Sequence, residues 1–138
     1  MTAPFAVQRI DHLVLRVKDI ERAVAFYGSV LGCTVAKRRD DLGLVHLRAG
    51  ASMIDLISVE GPLGSKGGAA AQREGRNLDH LCLRVEPFDA QLILDHLHAL
   101  GLARNAEVHH NFGAEGNGPS IYFTDLDGNE VELKGPAA

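Results

Sequence analysis

Hydrophobic residues recur along this chain with two different spacings, and the order of these spacings predicts the secondary structure. In residues 10–17, IDHLVLRV, leucine and valine recur at every second position, which predicts a half-buried strand. Between Asp19, an expected N-cap, and Gly32, an expected C-cap, apolar residues recur every three or four positions and predict a helix. Three strand-like runs follow, at 33–38, 43–48 and 52–59. The first part of the chain is therefore predicted to be β-α-β-β-β.

The same order of periods returns in the second part of the chain. Residues 78–85, LDHLCLRV, match the first octet at six of eight positions and predict an equivalent strand. A helix is expected over 88–100, closed by Gly101, with an apolar face formed by Leu92, Ile93, Leu97 and Leu100. Further strands are expected over 103–109, 120–124 and 129–134. Self-similarity of this kind predicts two equivalent structural units.

The predicted fold class is α+β, with two βαβββ modules. Neither module alone is large enough to bury both faces of its sheet, so we expect curved mixed sheets around a cavity, with the helices outside. Residues 1–138 are expected to form a single domain. The first module should cover about 8–60 and the second about 77–135, joined by a linker at about 61–76 that is rich in Gly, Ala and Ser.

Strand alternation places one histidine and one carboxylate on the inner face of each module. His12 and Asp55 lie on the first and last strands of the first module, and His80 and Glu132 on those of the second. Two imidazoles with one or two carboxylates suit a divalent transition metal that keeps open positions for a substrate. Glu132 and Asp55 are also candidate proton-transfer groups. The alternative for each residue alone is a structural histidine or a salt-bridged carboxylate.

Five further polar residues are candidates for the same cavity. Tyr122 is expected to face it with a catalytic hydroxyl, or else to be a half-buried aromatic residue. His110 and Asn111 lie in a Gly-rich stretch that predicts either a mobile acid–base loop or a plain exposed loop. Arg16 and Arg84 could bind an acidic substrate group or form internal ion pairs.

Composition and charge exclude several classes of function. The net charge is −4 and no basic run occurs, so nothing favours a nucleic-acid partner. No segment has the apolar length of a membrane span, and residues 1–9 lack the pattern of a signal peptide. Cys33 and Cys82 are too few for a disulfide framework and are expected to be buried thiols. We therefore expect a cytoplasmic protein without a membrane partner.

These residues resemble the vicinal oxygen chelate superfamily, also called the glyoxalase / bleomycin-resistance / dioxygenase family. The resemblance rests on three motifs. The first is IDHL at 10–13 with the FY and VLG that follow it, the second is DHL at 79–81, and the third is YFTDLDGNEVEL at 122–133. In the last motif Leu126 stands where the family usually has proline. The motifs cover almost the whole chain and are specific for the superfamily, but they do not distinguish its members.

The resemblance implies a metal site and usually a homodimer. The metal would be Ni, Co, Zn, Mn or Fe, held by His12, His80 and Glu132. Glyoxalase I-like members have a fourth ligand, Glu or Gln, where this chain has Asp55. Arg16 stands where those enzymes have an arginine that binds glutathione. The modules pair within one chain or are exchanged between two copies.

Other branches of the family match other residues. Ser120 and Tyr122 resemble positions that hold the phosphonate in fosfomycin-resistance enzymes. Tyr122 with His110 and Asn111 resembles the groups around the metal in extradiol ring-cleavage dioxygenases.

The leading hypothesis is a metal-dependent, glyoxalase-like enzyme of lyase or isomerase type. It would chelate vicinal oxygens of a small substrate and stabilise an enolate or oxyanion. The alternatives are an extradiol-type dioxygenase, a fosfomycin-type thiol transferase or hydrolase, and a non-catalytic bleomycin-resistance-like binding protein.

Overall fold

Two compact units of similar size make up the chain. The structure is a computed structural model that describes residues 1–102 and 107–138. Residues 1–70 form one unit and residues 71–138 the other, and we call them the first half and the second half. Each half contains one four-stranded mixed sheet and one α-helix, as the α+β prediction of two βαβββ modules requires.

In the first half, the helix follows the first strand and three antiparallel strands complete the sheet. The strands lie in the order β1-β4-β3-β2, and β1 runs parallel to β4. The elements are β1 (His12–Val17), α1 (Ile20–Leu31), β2 (Thr34–Arg39), β3 (Leu44–Ala49) and β4 (Ser52–Ser58). Two short 3-10 helices occur at Asp40–Leu42 and Gly64–Gly67.

Both predicted caps of α1 are confirmed. The side chain of Asp19 accepts a hydrogen bond from the Arg22 amide, which satisfies one of the free N–H groups of the first turn. Gly32 has a φ of 70°, the left-handed conformation that glycine adopts without steric cost. The sequence therefore determines both ends of this helix locally.

The second half repeats this topology. Its strands lie in the order β5-β8-β7-β6, with β5 parallel to β8. The elements are β5 (His80–Arg84), α2 (Ala90–Ala99), β6 (His109–Gly113), β7 (Gly116–Thr124) and β8 (Glu130–Lys134).

The predicted boundaries of α2 and its apolar face were partly wrong. The helix begins after Asp89, whose carboxylate caps the Leu92 amide, rather than at residue 88. Leu97 is fully buried, but Leu92 is 65% exposed and Leu100 is 41% exposed. A helix that covers one face of a small sheet buries a narrower stripe than hydrophobic periodicity alone indicates.

The segment before β7 also differs from the prediction. A strand was expected over 103–109, but residues 103–106 lie outside the described part of the chain, and β6 begins only at His109. The expected loop around His110 and Asn111 is wrong, because residues 109–113 form β6 and pair antiparallel with β7. Glycine content favoured a loop, whereas hydrogen bonding to β7 makes this segment a strand.

The apolar core of each half lies on one face of its sheet. Alternate residues of the parallel strands are buried there, as strand alternation predicts, and they are Leu15, Val17, Ile54 and Leu56 in the first half and Leu81, Val131 and Leu133 in the second. The opposite face carries the candidate site residues. Within the described residues, no helix has the length and apolar character needed to cross a membrane.

Candidate active site

In the second half, one histidine and one carboxylate face each other on neighbouring parallel strands. The Nε2 atom of His80 lies 3.1 Å from Oε1 of Glu132. The other ring nitrogen, Nδ1, lies 2.6 Å from the carboxylate of Asp79. A carboxylate at Nδ1 accepts its N–H and fixes the ring, so that Nε2 faces Glu132, and the bond to Asp79, followed by the charge of Glu132, raises the pKa of His80. Two acceptors at this distance require a proton or a metal cation between them.

Both carboxylate oxygens of Glu132 accept hydrogen bonds from hydroxyl groups on β7. Ser120 Oγ donates to Oε2 at 2.5 Å, and the Tyr122 hydroxyl donates to Oε1 at 2.9 Å. The side-chain amide of Asn111 in turn donates to the Tyr122 hydroxyl at 2.8 Å. Ser120, Tyr122 and Asn111, all predicted as site residues, therefore lie in one network that ends at Glu132.

This network favours the charged form of Glu132. Burial alone would raise the pKa of its carboxyl group, but the hydrogen bonds from Ser120 and Tyr122 and the nearby His80 outweigh burial, and the pKa is lowered. Burial and the bond to Glu132 raise the pKa of Tyr122 to about 12. At neutral pH, Glu132 is therefore an anion and Tyr122 remains a hydrogen-bond donor.

The first half repeats the pairing of aspartate, histidine and carboxylate, with different neighbours. His12 Nδ1 lies 2.7 Å from Asp11, and the bond to that carboxylate, followed by the charge of Asp55, raises the pKa of His12. His12 Nε2 lies 3.9 Å from Oδ2 of Asp55. Oδ1 of the buried Asp55 lies 2.9 Å from Nδ1 of His46.

Sequence reasoning missed His46. The residue lies on β3 directly opposite Asp55 in the antiparallel register, so both side chains share one face. The signal was present in the alternation of residues 43–48, which places His46 on the inner face. The repeat draws attention to the first and last strands of each module, and His46 lies on β3, between them in the chain.

The donor atoms in each half fit a divalent transition metal. Two ligand atoms bound at about 2.1 Å and at a right angle to each other stand about 3 Å apart, close to the His80–Glu132 separation of 3.1 Å. The corresponding pair in the first half, His12 and Asp55, is wider at 3.9 Å. Among residues 1–102 and 107–138, no three His, Cys, Asp or Glu side chains already surround one point. The fit therefore rests on the two pairs and on the aspartates that orient their imidazoles.

Both arginines that were candidates for substrate binding already have partners within their own half. The guanidinium of Arg16 donates to the backbone carbonyls of Gly64, Gly68 and Ala69. The guanidinium of Arg84 contacts the carboxylates of Glu115 and Glu86, at 2.8 Å in each case. Arg84 thus forms the internal ion pairs that were its alternative role, and Arg16 anchors the segment after β4.

On β6 the structure places His109, rather than His110, beside the site. The rings of His109 and Tyr122 meet edge to face, with centroids 5.5 Å apart. Side chains alternate along a strand, so Asn111 shares the face of His109, and His110 lies on the opposite face. The expectation of His110 as an acid–base group beside Tyr122 therefore does not match its position, because the segment is a strand rather than a loop.

A cavity of about 290 Å³ lies within the second half on this face. Its lining includes His80, Glu132, Cys82, Lys134 and Phe112. Desolvation, and then the charge of Glu132, raise the pKa of the Cys82 thiol to about 11, so Cys82 is a neutral group at physiological pH. The space beside the His80–Glu132 pair is sufficient for a small molecule.

Comparison with known proteins assigns the family. A sequence profile of the Glyoxalase/Bleomycin resistance protein/Dioxygenase superfamily matches residues 9–133, almost the whole chain. The chain belongs to this superfamily. The family resemblance and the fold class predicted from the sequence are thus confirmed. Lyases, epimerases and fosfomycin-resistance enzymes are among the superfamily's members.

Three relatives illustrate the range of this superfamily. Virulence protein STM3117 of Salmonella typhimurium is 32% identical over 92% of this chain and 83% of its own length. Its crystal structure superposes with a TM-score of 0.75, over 96% of this chain and 100% of that one. The mitochondrial methylmalonyl-CoA epimerase of Bos taurus is 27% identical over 91% of this chain and 73% of its own. Lactoylglutathione lyase from Agrobacterium tumefaciens superposes with a TM-score of 0.65 over 96% of each chain, and its identity of 24% shows the fold alone.

Proposed function

We propose that this protein is a metal-dependent enzyme of lyase or isomerase type that moves a proton on a carbon beside a carbonyl group. One observation carries the proposal, which is that Asp79 directs Nε2 of His80 at the ionised carboxylate of Glu132, 3.1 Å away. Two facing acceptors of this kind are suited to share a divalent cation. A small-molecule substrate and, from the family resemblance, a homodimer belong to the same proposal.

The ligands in this proposal are His12, His80 and Glu132, the set that the family resemblance implies. His12 qualifies because Asp11 orients its ring as Asp79 orients that of His80. A divalent metal bound there would supply charge stabilisation for a substrate oxygen that becomes negative. The hydrogen bonds from Ser120 and Tyr122 keep Glu132 ionised and fixed in position.

Asp55 is the group proposed to take the proton from the substrate. Its Oδ1 atom is bound to His46, whereas its Oδ2 atom lies 3.9 Å from His12, beyond hydrogen-bonding distance. A general base must have an oxygen that can reach the C–H bond of a substrate. Both oxygens of Glu132 already accept hydroxyl hydrogens, so Asp55 is better suited to proton transfer and Glu132 to holding a metal.

The relation to an epimerase supports this type of chemistry. The bovine relative is named as an epimerase of methylmalonyl-CoA, a compound whose stereocentre lies between two carbonyl groups. Inversion of such a centre requires that its proton be removed and returned, with a negative oxygen stabilised in between. We therefore extend to this chain the general reaction, on an acid or thioester with an acidic C–H bond, and not the particular substrate.

The decisive experiment combines metal analysis with proton exchange. The protein is prepared without a metal-binding tag, its bound metal is measured, and small 2-oxo acids, 1,3-dicarbonyl compounds and acyl thioesters are incubated with it in D₂O. We expect metal-dependent exchange of the proton beside the carbonyl group, detected by NMR, and its loss in Asp55→Asn with metal binding retained. Protein that binds no Co²⁺, Ni²⁺, Zn²⁺, Mn²⁺ or Fe²⁺ when each is added would contradict the proposal.

The same preparation tests the dioxygenase alternative. The Tyr122 hydroxyl donates to Glu132, and the imidazole of His109 meets the Tyr122 ring edge to face, which supports this alternative. Oxygen uptake with Fe²⁺ and a panel of catechols, in the absence of proton exchange, would favour ring cleavage. Exchange without oxygen uptake would favour the lyase or isomerase type.

A further inference from the structure

Lys134 is a buried lysine on the site face to which the sequence analysis assigned no role. It is 7% exposed and lies at the end of β8, two residues after Glu132. Its Nζ atom lies 2.6 Å from the backbone carbonyl of Asn111, 3.2 Å from that of Gly118 and 3.4 Å from Oγ of Ser120. A buried ammonium group is costly unless all its hydrogens are bonded, and here three acceptors are present for three donors.

The position of this ammonium determines the direction of the Ser120 hydroxyl. An ammonium group only donates, so Oγ of Ser120 must accept at this contact. The single hydrogen of Ser120 is then directed to its other neighbour, Oε2 of Glu132, at 2.5 Å. Ser120 is fully buried, so no water competes for that hydrogen.

A second arm of the network acts on the other oxygen of Glu132. The Asn111 amide donates to the Tyr122 hydroxyl, whose hydrogen is thereby directed to Oε1 of Glu132. Lys134 is not a member of this arm, because it binds the backbone carbonyl of Asn111 and not the side-chain amide. Each carboxylate oxygen thus accepts a hydroxyl hydrogen whose direction is set by a further donor.

The backbone of β6 leaves room for the lysine side chain. A Cβ atom at Gly113 would lie 2.5 Å from Cε of Lys134, well inside van der Waals contact. Gly113 is not among the glycines with positive φ, so its backbone does not require glycine. The space above Gly113 is therefore occupied by Lys134, which explains why a small residue stands at this point.

The first half shows that the network is not a requirement of the fold. In the second half, Ser120 and Lys134 are register partners, and Tyr122 is opposite Glu132. At the corresponding places in the first half, Leu44 is opposite Ile57. The same strand topology therefore forms with two apolar residues in place of the serine and the lysine.

We propose that Lys134 is a positioning residue for Glu132, acting through Ser120, and that it tunes the affinity of Glu132 for a divalent metal. Oε1, which faces His80 and accepts the longer bond from Tyr122, would be the oxygen that holds a metal. This inference rests on the proposed function. It assigns to Lys134 a role distinct from substrate binding, since all three of its hydrogens have acceptors within the protein.

The test is a double-mutant cycle on Co²⁺ affinity. Metal-free wild type, Ser120→Ala, Lys134→Met and the double variant are titrated with Co²⁺ and followed by its visible absorption. Loss of an outer hydrogen-bond partner of a metal ligand weakens binding about 10–100-fold, which we expect for Ser120→Ala. Lys134→Met should weaken binding in the same direction, and the double variant should bind no more weakly than Ser120→Ala alone.

Matched variants keep this test decisive. Lys37→Met removes the same charge from an exposed position on β2 and should leave the affinity unchanged. Gly113→Ala keeps every polar group but displaces the Lys134 side chain, so it should also weaken Co²⁺ binding. If circular dichroism shows that Lys134→Met is unfolded, Gly113→Ala takes its place in the test. The inference would be overturned if the double variant lost as much Co²⁺ binding free energy as the two single variants together. It would also be overturned if Ser120→Ala bound Co²⁺ as tightly as wild type. Wild type that does not bind Co²⁺ would instead count against the proposed function.

Discussion

The two halves share a backbone topology and an Asp-His pair, yet they surround their carboxylates differently. Glu132 accepts hydrogen bonds from two hydroxyl groups and lies 3.1 Å from His80. Asp55 is bonded to His46 through one oxygen, and its other oxygen lies 3.9 Å from His12. In the strand register, His46 and Tyr122 occupy equivalent places opposite the two carboxylates.

This difference shows how a duplicated unit supports two roles. The repeated strands place one carboxylate at the same point of each half, and that part of the design follows from the backbone. The neighbouring strand then determines what the carboxylate can do. Hydroxyl donors keep Glu132 fixed and charged, whereas the partners that the described residues give Asp55 are two histidines, His46 at Oδ1 and His12 at 3.9 Å from Oδ2. The comparison predicts that equivalent substitutions in the two halves will have unequal effects.

The largest difference between the halves is expected when the carboxylate of each half is removed in turn. We expect Glu132→Ala to weaken Co²⁺ binding by more than about 100-fold, beyond the range typical of outer hydrogen-bond partners. Asp55→Ala should weaken it by less than about 10-fold but abolish proton exchange, because we assign Asp55 to proton transfer. Absorption titration and NMR exchange measure the two effects. Equal losses of affinity would show that the halves do not differ in this way.

The aspartates that orient the histidines should instead behave alike. Asp79 and Asp11 lie at nearly the same distance from their imidazoles, 2.6 Å and 2.7 Å. Replacing either with alanine removes the partner that fixes the ring, so we expect Co²⁺ affinity to fall about 10–100-fold in both variants. The Co²⁺ affinity of the matching asparagine variants, which keep a hydrogen-bond acceptor, should fall less. If only Asp79→Ala has an effect, His12 is not a ligand.

Stability of the metal-free protein should depend on pH through Glu132 in a predictable direction. The pKa of Glu132 is lowered by folding, so its contribution to stability is present above the unfolded-state pKa near 4.5 and is lost as pH falls through the folded-state value. Ser120→Ala removes one of the bonds that lower this pKa. We expect it to cost about 1–3 kcal/mol at neutral pH, and the difference from wild type should shrink below about pH 4.5.

Urea unfolding in EDTA, at neutral and acidic pH, measures this dependence. Val45→Ala, a core substitution on β3 of the first half, is a suitable control because it removes no group that titrates. Its cost should be similar at the two pH values. If the cost of Ser120→Ala is also independent of pH, the bond from Ser120 does not act on the charged form of Glu132.

The smallest effect is expected where the first strands of the two halves differ. Cys82 in β5 corresponds to Val14 in β1. Its thiol, with a pKa raised to about 11, is neutral and should react slowly with iodoacetamide near pH 8. We expect Cys82→Val to change stability by no more than about 0.5 kcal/mol and to weaken Co²⁺ binding less than Ser120→Ala does, because the thiol is a weaker hydrogen-bond donor to Glu132 than a hydroxyl. A large loss of affinity would add Cys82 to the groups that position Glu132.

Local signals predicted most of the fold correctly. The period-two alternation of residues 10–17 and the Asp19 and Gly32 caps of α1 are properties of neighbouring residues, and they hold in the structure. The errors occurred where a neighbouring element decides. Residues 109–113 form a strand because β7 pairs with them, and Leu92 is 65% exposed although hydrophobic spacing predicts it on the buried face of α2. Neither outcome is visible within the segment itself.

The sequence by itself determined the duplication, the order of helix and strands along each half, and the shared strand faces of His12 with Asp55 and of His80 with Glu132. These depend on hydrophobic period and on the repeat, which act along the chain. Only the tertiary structure decided which groups bond to each carboxylate. His46 and Ser120 reach them from the neighbouring antiparallel strand, and Lys134 contacts Ser120 from the strand that carries Glu132. Such hydrogen bonds form only when register and side-chain direction both agree.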